Sequence, residues 1–81
     1  MSQSNLLELI DFIARSLVDD PEAVKVVEVP GEHSMVYELR CGPNDMGKVI
    51  GRNGRMARSI RTVLSAAASL DGRKAMLEIL E

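Results

Sequence analysis

Apolar residues at the start of the chain follow the spacing of an amphipathic helix. From Leu6 to Leu17 they recur every three or four positions, so they share one helical face. The pattern predicts a helix over 6–18. It ends before Pro21, because the residue preceding a proline is pushed out of helical geometry.

Two alternating segments follow, with a polar turn between them. Residues 24–29 are rich in valine, and residues 35–40 place large apolar side chains at every second position, which is typical of strands. The intervening turn is Pro30-Gly31-Glu32-His33. The residues expected on the buried face of the second strand are Met35, Tyr37 and Leu39. This arrangement predicts a β-hairpin.

The second half of the chain predicts two helices and a last strand. Asn44 or Asp45 is placed to cap a short helix that ends near Ile50. A longer helix runs from 54 or 55 to about 69, and a strand follows over 75–80. The expected buried stripe of the longer helix is Met56, Ile60, Val63, Leu64 and Ala67.

The order of elements is helix, strand, strand, helix, helix, strand. Three strands can cover one side of three helices, which predicts an α+β two-layer sandwich with all three helices on one face of the sheet. The 81 residues fit one domain, 1–81, without linker or repeat. Hydrophobic residues at 46% and charged residues at 27% are typical of globular domains.

Several classes of protein are excluded by composition. The apolar stretches fall far short of the roughly 20 residues that cross a bilayer. Cys41 has no second cysteine for a disulfide, and His33 has no neighbouring ligand residue for zinc. Because no Ser/His/Asp set, Cys/His pair or metal cluster is present, we expect no enzyme, cofactor or metal. Because the acidic N-terminal half does not resemble a signal peptide either, we expect a cytoplasmic location.

Charge is distributed unevenly around a net value of −2. Residues 1–40 carry three basic and eight acidic side chains, a net of −5, whereas residues 41–81 carry seven and four, a net of +3. Between Met46 and Arg61 there are five basic residues and no acid. We expect an anionic ligand to dock on this segment.

The loop Gly51-Arg52-Asn53-Gly54 lies between the two predicted helices of the second half. The first glycine can adopt the left-handed geometry that ends a helix, and the second, without a Cβ, lets another backbone approach. Free amides at the start of the next helix favour a phosphate there, and Arg52 adds charge.

Other basic residues near the loop differ in their expected roles. Arg55 lies within a turn of the loop and is favoured as a phosphate contact, and Lys48 is a weaker candidate. Arg58 points almost opposite to the predicted buried stripe, so we expect it to be solvated.

Two alternative interpretations of this region remain to be weighed. Asn-Gly is common turn chemistry, so the loop can be a simple turn without a ligand. Residues 42–48 also match the start of a nucleotide-binding P-loop, but Val49 replaces the Ser or Thr that would hold magnesium, and Pro43 removes a backbone donor. We interpret the P-loop match as coincidence.

The run from Gly47 to Arg61 resembles the Val-Ile-Gly-x-x-Gly-x-x-x-x-x-Ile signature of KH domains, in which a GXXG loop clamps about four nucleotides. With the helix and hairpin before it, the order is similar to the type II KH arrangement. In length and layout the chain resembles the small bacterial single-KH proteins of the KhpA (YlqC) family.

The resemblance implies a site and a set of partners. The residues implied in RNA binding are Gly51, Arg52, Asn53 and Gly54 against the nucleic-acid backbone, with Val49 and Ile50 lining an adjacent apolar groove. Ile60 would pack beneath that groove. The family also implies a non-enzymatic RNA binder, acting as a post-transcriptional regulator or RNA chaperone. It would form a homodimer or pair with a second KH protein of the KhpB (Jag) type.

A protein-interaction module with little direct RNA contact is the alternative function. Its basis is the last strand, where Met76 and Leu80 point away from the helices, beside Val36. Scattered surface hydrophobes or a shifted register explain the same pattern. Phe12 and Tyr37 are the aromatic residues and lie far along the sequence from the glycine loop, so base stacking is not expected to drive recognition.

Overall fold

The computed structural model describes residues 3–81, with side chains from Leu6 onward. Its helices and strands are α1 (Gln3–Leu17), β1 (Lys25–Pro30), β2 (Met35–Arg40), α2 (Met46–Ile50), α3 (Arg55–Leu70) and β3 (Ala75–Leu80). Single 3₁₀ turns occupy Pro21–Ala23, Pro43–Asp45 and Arg52–Gly54. None of the helices in this part of the chain is both long enough and apolar enough to cross a bilayer.

The three strands form one mixed sheet with β2 in the centre. β1 pairs with β2 antiparallel, and β3 pairs with β2 parallel. The hairpin turn is closed by the Gly31 N–H, which donates to the Ser34 carbonyl at 2.8 Å. The parallel pair is joined through α2 and α3, as a parallel connection requires a long crossover. The predicted α+β architecture and element order are confirmed.

The core lies between the helices and one face of the sheet. Its buried residues come from α1, α2, α3, β2 and β3 and from the segment that precedes β1. β1 itself contributes the partly buried Val26. The buried members are Leu6, Ile10, Ala14, Val24, Tyr37, Leu39, Val49, Ile60, Leu64, Ala68 and Leu77. The face predicted for β2 is confirmed, because Tyr37 and Leu39 are fully buried.

The buried stripe of α3 differs from the predicted one. Val63 is 45% exposed, whereas Ala57 and Ala68 are buried together with Ile60 and Leu64. At 100° per residue the true stripe is turned by about 60°. The sequence favoured the larger apolar side chains for the buried face, but Ala57 and Ala68 occupy part of it. Small side chains there let the helix approach its neighbours closely.

The boundaries of the other elements agree with the sequence to within a few residues. The first helix begins at Gln3 rather than at Leu6, and β1 begins at Lys25, one residue late. β2 and β3 have the predicted bounds. Hydrophobic period defines the middle of an element better than its ends, where polar residues continue the same backbone.

Candidate nucleic-acid interface

The turn between α2 and α3 depends on left-handed backbone geometry. Gly51 has φ 77° and ψ 172°, Asn53 has φ 57° and ψ 26°, and Gly54 has φ 74° and ψ 13°. Within the described chain Asn53 is the one residue other than glycine with a positive φ. Asparagine is among the side chains that tolerate this region best.

The two glycines have different roles in the turn. A Cβ built on Gly51 would lie 2.6 Å from the Met56 Cβ and 2.8 Å from its backbone nitrogen. The turn can therefore close only over a glycine. A Cβ on Gly54 would meet no heavy atom within 4 Å, so this backbone faces open space and another chain can approach it.

Three successive carbonyls of the loop are hydrogen-bonded within the protein. The Gly54 N–H donates to the Gly51 carbonyl at 3.1 Å, and the Arg55 N–H donates to the Arg52 carbonyl. The Arg58 guanidinium donates to the Asn53 carbonyl at 2.7 Å.

The amides of the loop face the other way. Those of Arg52 and Asn53 make no backbone hydrogen bond to any residue in 3–81. They are the unsatisfied donors expected where a helix begins. The loop thus turns its acceptors inward and leaves two donors for a ligand.

Positive charge surrounds these outward amides. Arg52, Asn53 and Arg55 have exposed side chains. Across residues 6–81, neither the Arg52 nor the Arg55 guanidinium lies within 4 Å of a carboxylate. Both are therefore available to an anion, and a guanidinium matches phosphate through two parallel donors.

Lys48 lies close to the loop in sequence, but its charge is used inside the protein. Its Nζ lies 2.9 Å from the Asp19 carboxylate and 3.2 Å from that of Asp45. Hydrogen bonds to these two acids raise the pKa of the lysine. The expectation that Lys48 contacts phosphate is not supported by this geometry, because an incoming phosphate would compete with two carboxylates.

Asp45 is a buried acid that connects two helices. The residue is 3% exposed, and its carboxylate accepts the amides of Asp19 at 3.2 Å and of Asp20 at 3.1 Å. These bonds, that of Asp19 foremost, lower its pKa. The residue occupies the predicted N-cap position of α2, but its side chain does not cap that helix and instead binds the segment after α1.

The sequence contained one local signal for this arrangement. Asp45 and Lys48 are three residues apart, a spacing at which side chains meet on a helix. The partners from the end of α1 are 25 and 26 positions away, and no periodicity indicates such a pairing.

The apolar residues before the loop separate into a buried one and an exposed one. Val49 is fully buried, so its predicted place on the groove surface is wrong in this structure: it lies in the core. Adjacent helical residues point about 100° apart, and here the first of the pair points into the core while the second is exposed. Ile50 is 37% exposed. It lines a groove with Cys41, Pro43, Met46 and Glu81.

The later arginines of α3 contact the protein rather than only solvent. Arg58, expected to be solvated, is exposed but bonded to the Asn53 carbonyl. Arg61 donates through Nε to the Leu77 carbonyl of β3 at 3.4 Å. The rotation of α3 explains both contacts, because it moves these residues from the outer face toward the flanks of the helix. Ile60 is buried, as predicted.

Comparison with known proteins agrees with the fold. The family model "KhpA/KhpB, KH domain" matches residues 7–79. The chain is 55% identical over 73 residues to RNA-binding protein KhpA of Clostridium perfringens, covering 90% of this chain and 97% of the relative. It is 51% identical over 77 residues to RNA-binding protein KhpA of Borreliella burgdorferi, covering 95% and 94%.

A solved structure shares the fold. The crystal structure of a point variant of Aquifex aeolicus Era bound to GDP.AlF4- superposes with a TM-score of 0.61 at 23% identity, over 93% of this chain and 29% of that one. The family-model match spans the loop, the helices beside it and all three strands, and the curated relatives are aligned over nearly their whole length. The chain therefore belongs to the KhpA/KhpB family of KH domains.

Proposed function

We propose that this chain is a non-catalytic binder of single-stranded RNA that grips the sugar-phosphate backbone with residues 51–54. The observation that supports this most is the orientation of the loop, with its carbonyls bonded inward and the amides of Arg52 and Asn53 facing out. The KhpA relatives are named RNA-binding proteins, which agrees with that chemistry.

Three parts of the surface would contact one strand. A phosphate would accept the outward amides at the start of α3, where the helix dipole adds to their attraction. Arg52 and Arg55 would bind the same or the next phosphate, and the open backbone at Gly54 would let the strand approach. Bases would pack along the groove that Ile50 lines.

Preference for a single strand follows from the size of this surface. One narrow groove beside one loop accommodates a backbone whose bases are free to turn toward the protein. A duplex hides its base edges and presents a second backbone, for which the loop has no counterpart. The described chain also has no aromatic side chain in this groove, so apolar packing and hydrogen bonds carry the base contacts.

The double variant Arg52→Asp/Asn53→Asp tests the proposal. Two carboxylates at an exposed loop would repel the phosphates, so we expect loss of binding to a short single-stranded RNA while the circular dichroism spectrum is unchanged. Affinity equal to that of the unmodified chain would overturn the site.

A control variant separates local from general electrostatics. Lys25→Asp/Ser16→Asp changes the net charge by the same −3, at exposed positions on β1 and α1 that do not belong to the loop. We expect only a small loss of affinity from this control. An equal loss in both variants would mean that binding responds to total charge and not to the loop.

We further propose that the chain acts in the bacterial cytoplasm as a post-transcriptional regulator or RNA chaperone, as a homodimer or with a KhpB-type KH protein. Large apolar side chains on the helical side support an interface, because Leu70 is 83% exposed and Val63 45% exposed. Light scattering over a range of concentrations tests self-association. The mass of a single chain at the highest concentration would contradict the homodimer.

A protein-interaction module remains the second candidate, favoured by the outer face of the sheet. Val29, Val36 and Met76 lie side by side across all three strands in the observed register. Changing Met76 to Glu should then weaken binding to a KhpB-type protein while RNA affinity is unchanged. Unchanged binding to that protein would remove this candidate surface.

A further inference from the structure

The Asn53 carbonyl is the loop acceptor that the backbone alone does not satisfy. The Gly51 and Arg52 carbonyls accept amides from three residues further on, as in a 3₁₀ turn. Asn53 has left-handed φ and ψ, which turn its carbonyl off the right-handed ladder that α3 continues. Its donor is the Arg58 guanidinium, at 2.7 Å.

From this contact we infer that Arg58 is a positioning residue, which fixes residues 51–54 in the shape that presents their amides to a phosphate. The inference rests on the proposed function of the loop. Arg58 acts through Asn53: it holds the carbonyl toward α3, and because a peptide plane is rigid, this also fixes the direction of the Gly54 N–H that follows. That N–H donates to the Gly51 carbonyl and closes the turn from which the amides of Arg52 and Asn53 face outward.

The contact also changes the electrostatics that a phosphate would meet. A carbonyl oxygen exposed at the loop would repel an anion, whereas a carbonyl bonded to a guanidinium does not compete with the amides beside it. The carbonyls of Gly51, Arg52 and Asn53 are then all withdrawn from the ligand. The outward amides of Arg52 and Asn53 and the positive side chains of Arg52 and Arg55 remain for the ligand.

The three arginines near the loop thus divide into two groups by their bonding. Arg52 and Arg55 have no acidic partner within 4 Å in the described chain, and no loop carbonyl accepts from their side chains. Arg58 is the residue whose guanidinium is bonded to the loop. A positioning residue and a phosphate ligand would both affect affinity, but they differ in their response to salt, because only a phosphate ligand displaces a counterion.

The first experiment uses the free protein and needs no RNA. Amide hydrogen exchange at Gly54 and Arg55, whose N–H groups donate to loop carbonyls, would be measured by NMR in the unmodified chain, in Arg58→Ala and in Arg61→Ala. The control removes the same charge one turn later, where the guanidinium binds β3 and not the loop. We expect about tenfold faster exchange in Arg58→Ala, as a charged hydrogen bond is lost, and no change in the control. Equal exchange in all three proteins would overturn the inference.

The second experiment measures affinity for a ten-nucleotide oligouridylate at several salt concentrations. We expect Arg58→Ala to bind about tenfold more weakly with an unchanged slope of log K against log salt. Arg55→Ala should make the slope shallower by about 0.7. A slope shallower by about 0.7 in Arg58→Ala would make Arg58 a phosphate ligand and overturn the positioning role.

The two experiments distinguish failure of the proposed function from failure of the positioning role. If the unmodified chain does not bind the oligouridylate or any short single-stranded RNA, the proposed function fails. The exchange result still decides whether Arg58 orders the loop. If the chain binds and Arg58→Ala binds equally well with the same slope, the positioning role fails alone.

Discussion

At the scale of single residues, the glycines in and beside the loop differ in backbone conformation and in the space around them. Gly51 combines a positive φ with Met56 atoms less than 3 Å from the position of a Cβ. Gly54 has a positive φ but open space, and Gly47 has neither constraint and lies inside α2. Substitution by alanine should therefore separate steric overlap, backbone strain and helix propensity.

We predict a graded series of unfolding free energies for these three positions. Gly51→Ala should lose about 3 kcal/mol or more, because strain and overlap add. Gly54→Ala should lose about 1 kcal/mol from strain alone, and Gly47→Ala should gain up to about 1 kcal/mol. Urea denaturation of the three variants measures the series. Equal stability of the Gly51 and Gly54 variants would contradict the close packing against Met56.

Lys48 offers a second test at this scale, because its partners are carboxylates of the chain itself. Lys48→Met should leave the salt dependence of RNA binding unchanged and lower the melting temperature. A salt slope shallower by about 0.7 in this variant would show that the lysine leaves its acids to neutralise a phosphate.

The residues predicted correctly are those whose role depends on local sequence. A glycine pair between two helices indicates a tight turn regardless of the rest of the molecule, and Ile60 follows from helical period. The roles of Lys48, Val49 and Arg58 required the tertiary structure. Asp19 is far from Lys48 in sequence, the direction of Val49 depends on how α2 lies on the core, and the carbonyl that binds Arg58 is defined only by the φ of Asn53.

At the scale of elements, Asp45 fixes the start of α2 against the end of α1. Its carboxylate accepts two amides from the connecting segment and also pairs with Lys48. The short helix has little stability of its own, since five residues form little more than one turn. Its orientation, and with it the position of the loop, depends on this buried acid.

This anchor predicts a dependence of stability on pH. The pKa of Asp45 is lowered in the folded chain, so its contribution is present above the unfolded pKa of about 3.9 and is lost as pH falls through the lower, folded value. Asp45→Asn should melt well below the unmodified chain at pH 7, and the two melting temperatures should converge as the pH falls below about 3.9.

A matched acid tests whether the effect is specific. Asp11 pairs with Arg15 on the exposed face of α1, and such pairs contribute little. Asp11→Asn should change the melting temperature only slightly at either pH. A difference between Asp45→Asn and the unmodified chain that stays constant down to about pH 2.5, well below the unfolded pKa, would contradict the role of the charged carboxylate.

At the scale of the whole molecule, the surface for RNA is small and its charge is modest. With Lys48 engaged by acids, Arg52 and Arg55 would neutralise about two phosphates. The slope of log K against log salt should then be about −1.4 for a single strand. Titrations at four salt concentrations measure it, and a slope steeper than about −4 would require a second basic surface.

The same surface predicts discrimination between forms of RNA. Binding to a single strand should exceed binding to a blunt duplex of the same length, because one groove beside one loop cannot use the second backbone. Competition between the two forms for a fluorescent single strand measures this preference. Equal or tighter binding of the duplex would contradict the groove.

The parallel pairing of β2 with β3 has a consequence for how occupancy can be detected. The segment that connects β2 to β3 consists of α2, residues 51–54 and α3, and it must fold before β3 can pair with β2. RNA bound at residues 51–54 would therefore stabilise the connection on which this pairing depends. Folding and occupancy become linked equilibria, and RNA at about 100 times its dissociation constant should add about 2.7 kcal/mol of resistance to denaturation. A biosensor made from this domain would therefore report its target through a higher melting temperature rather than through a conformational change.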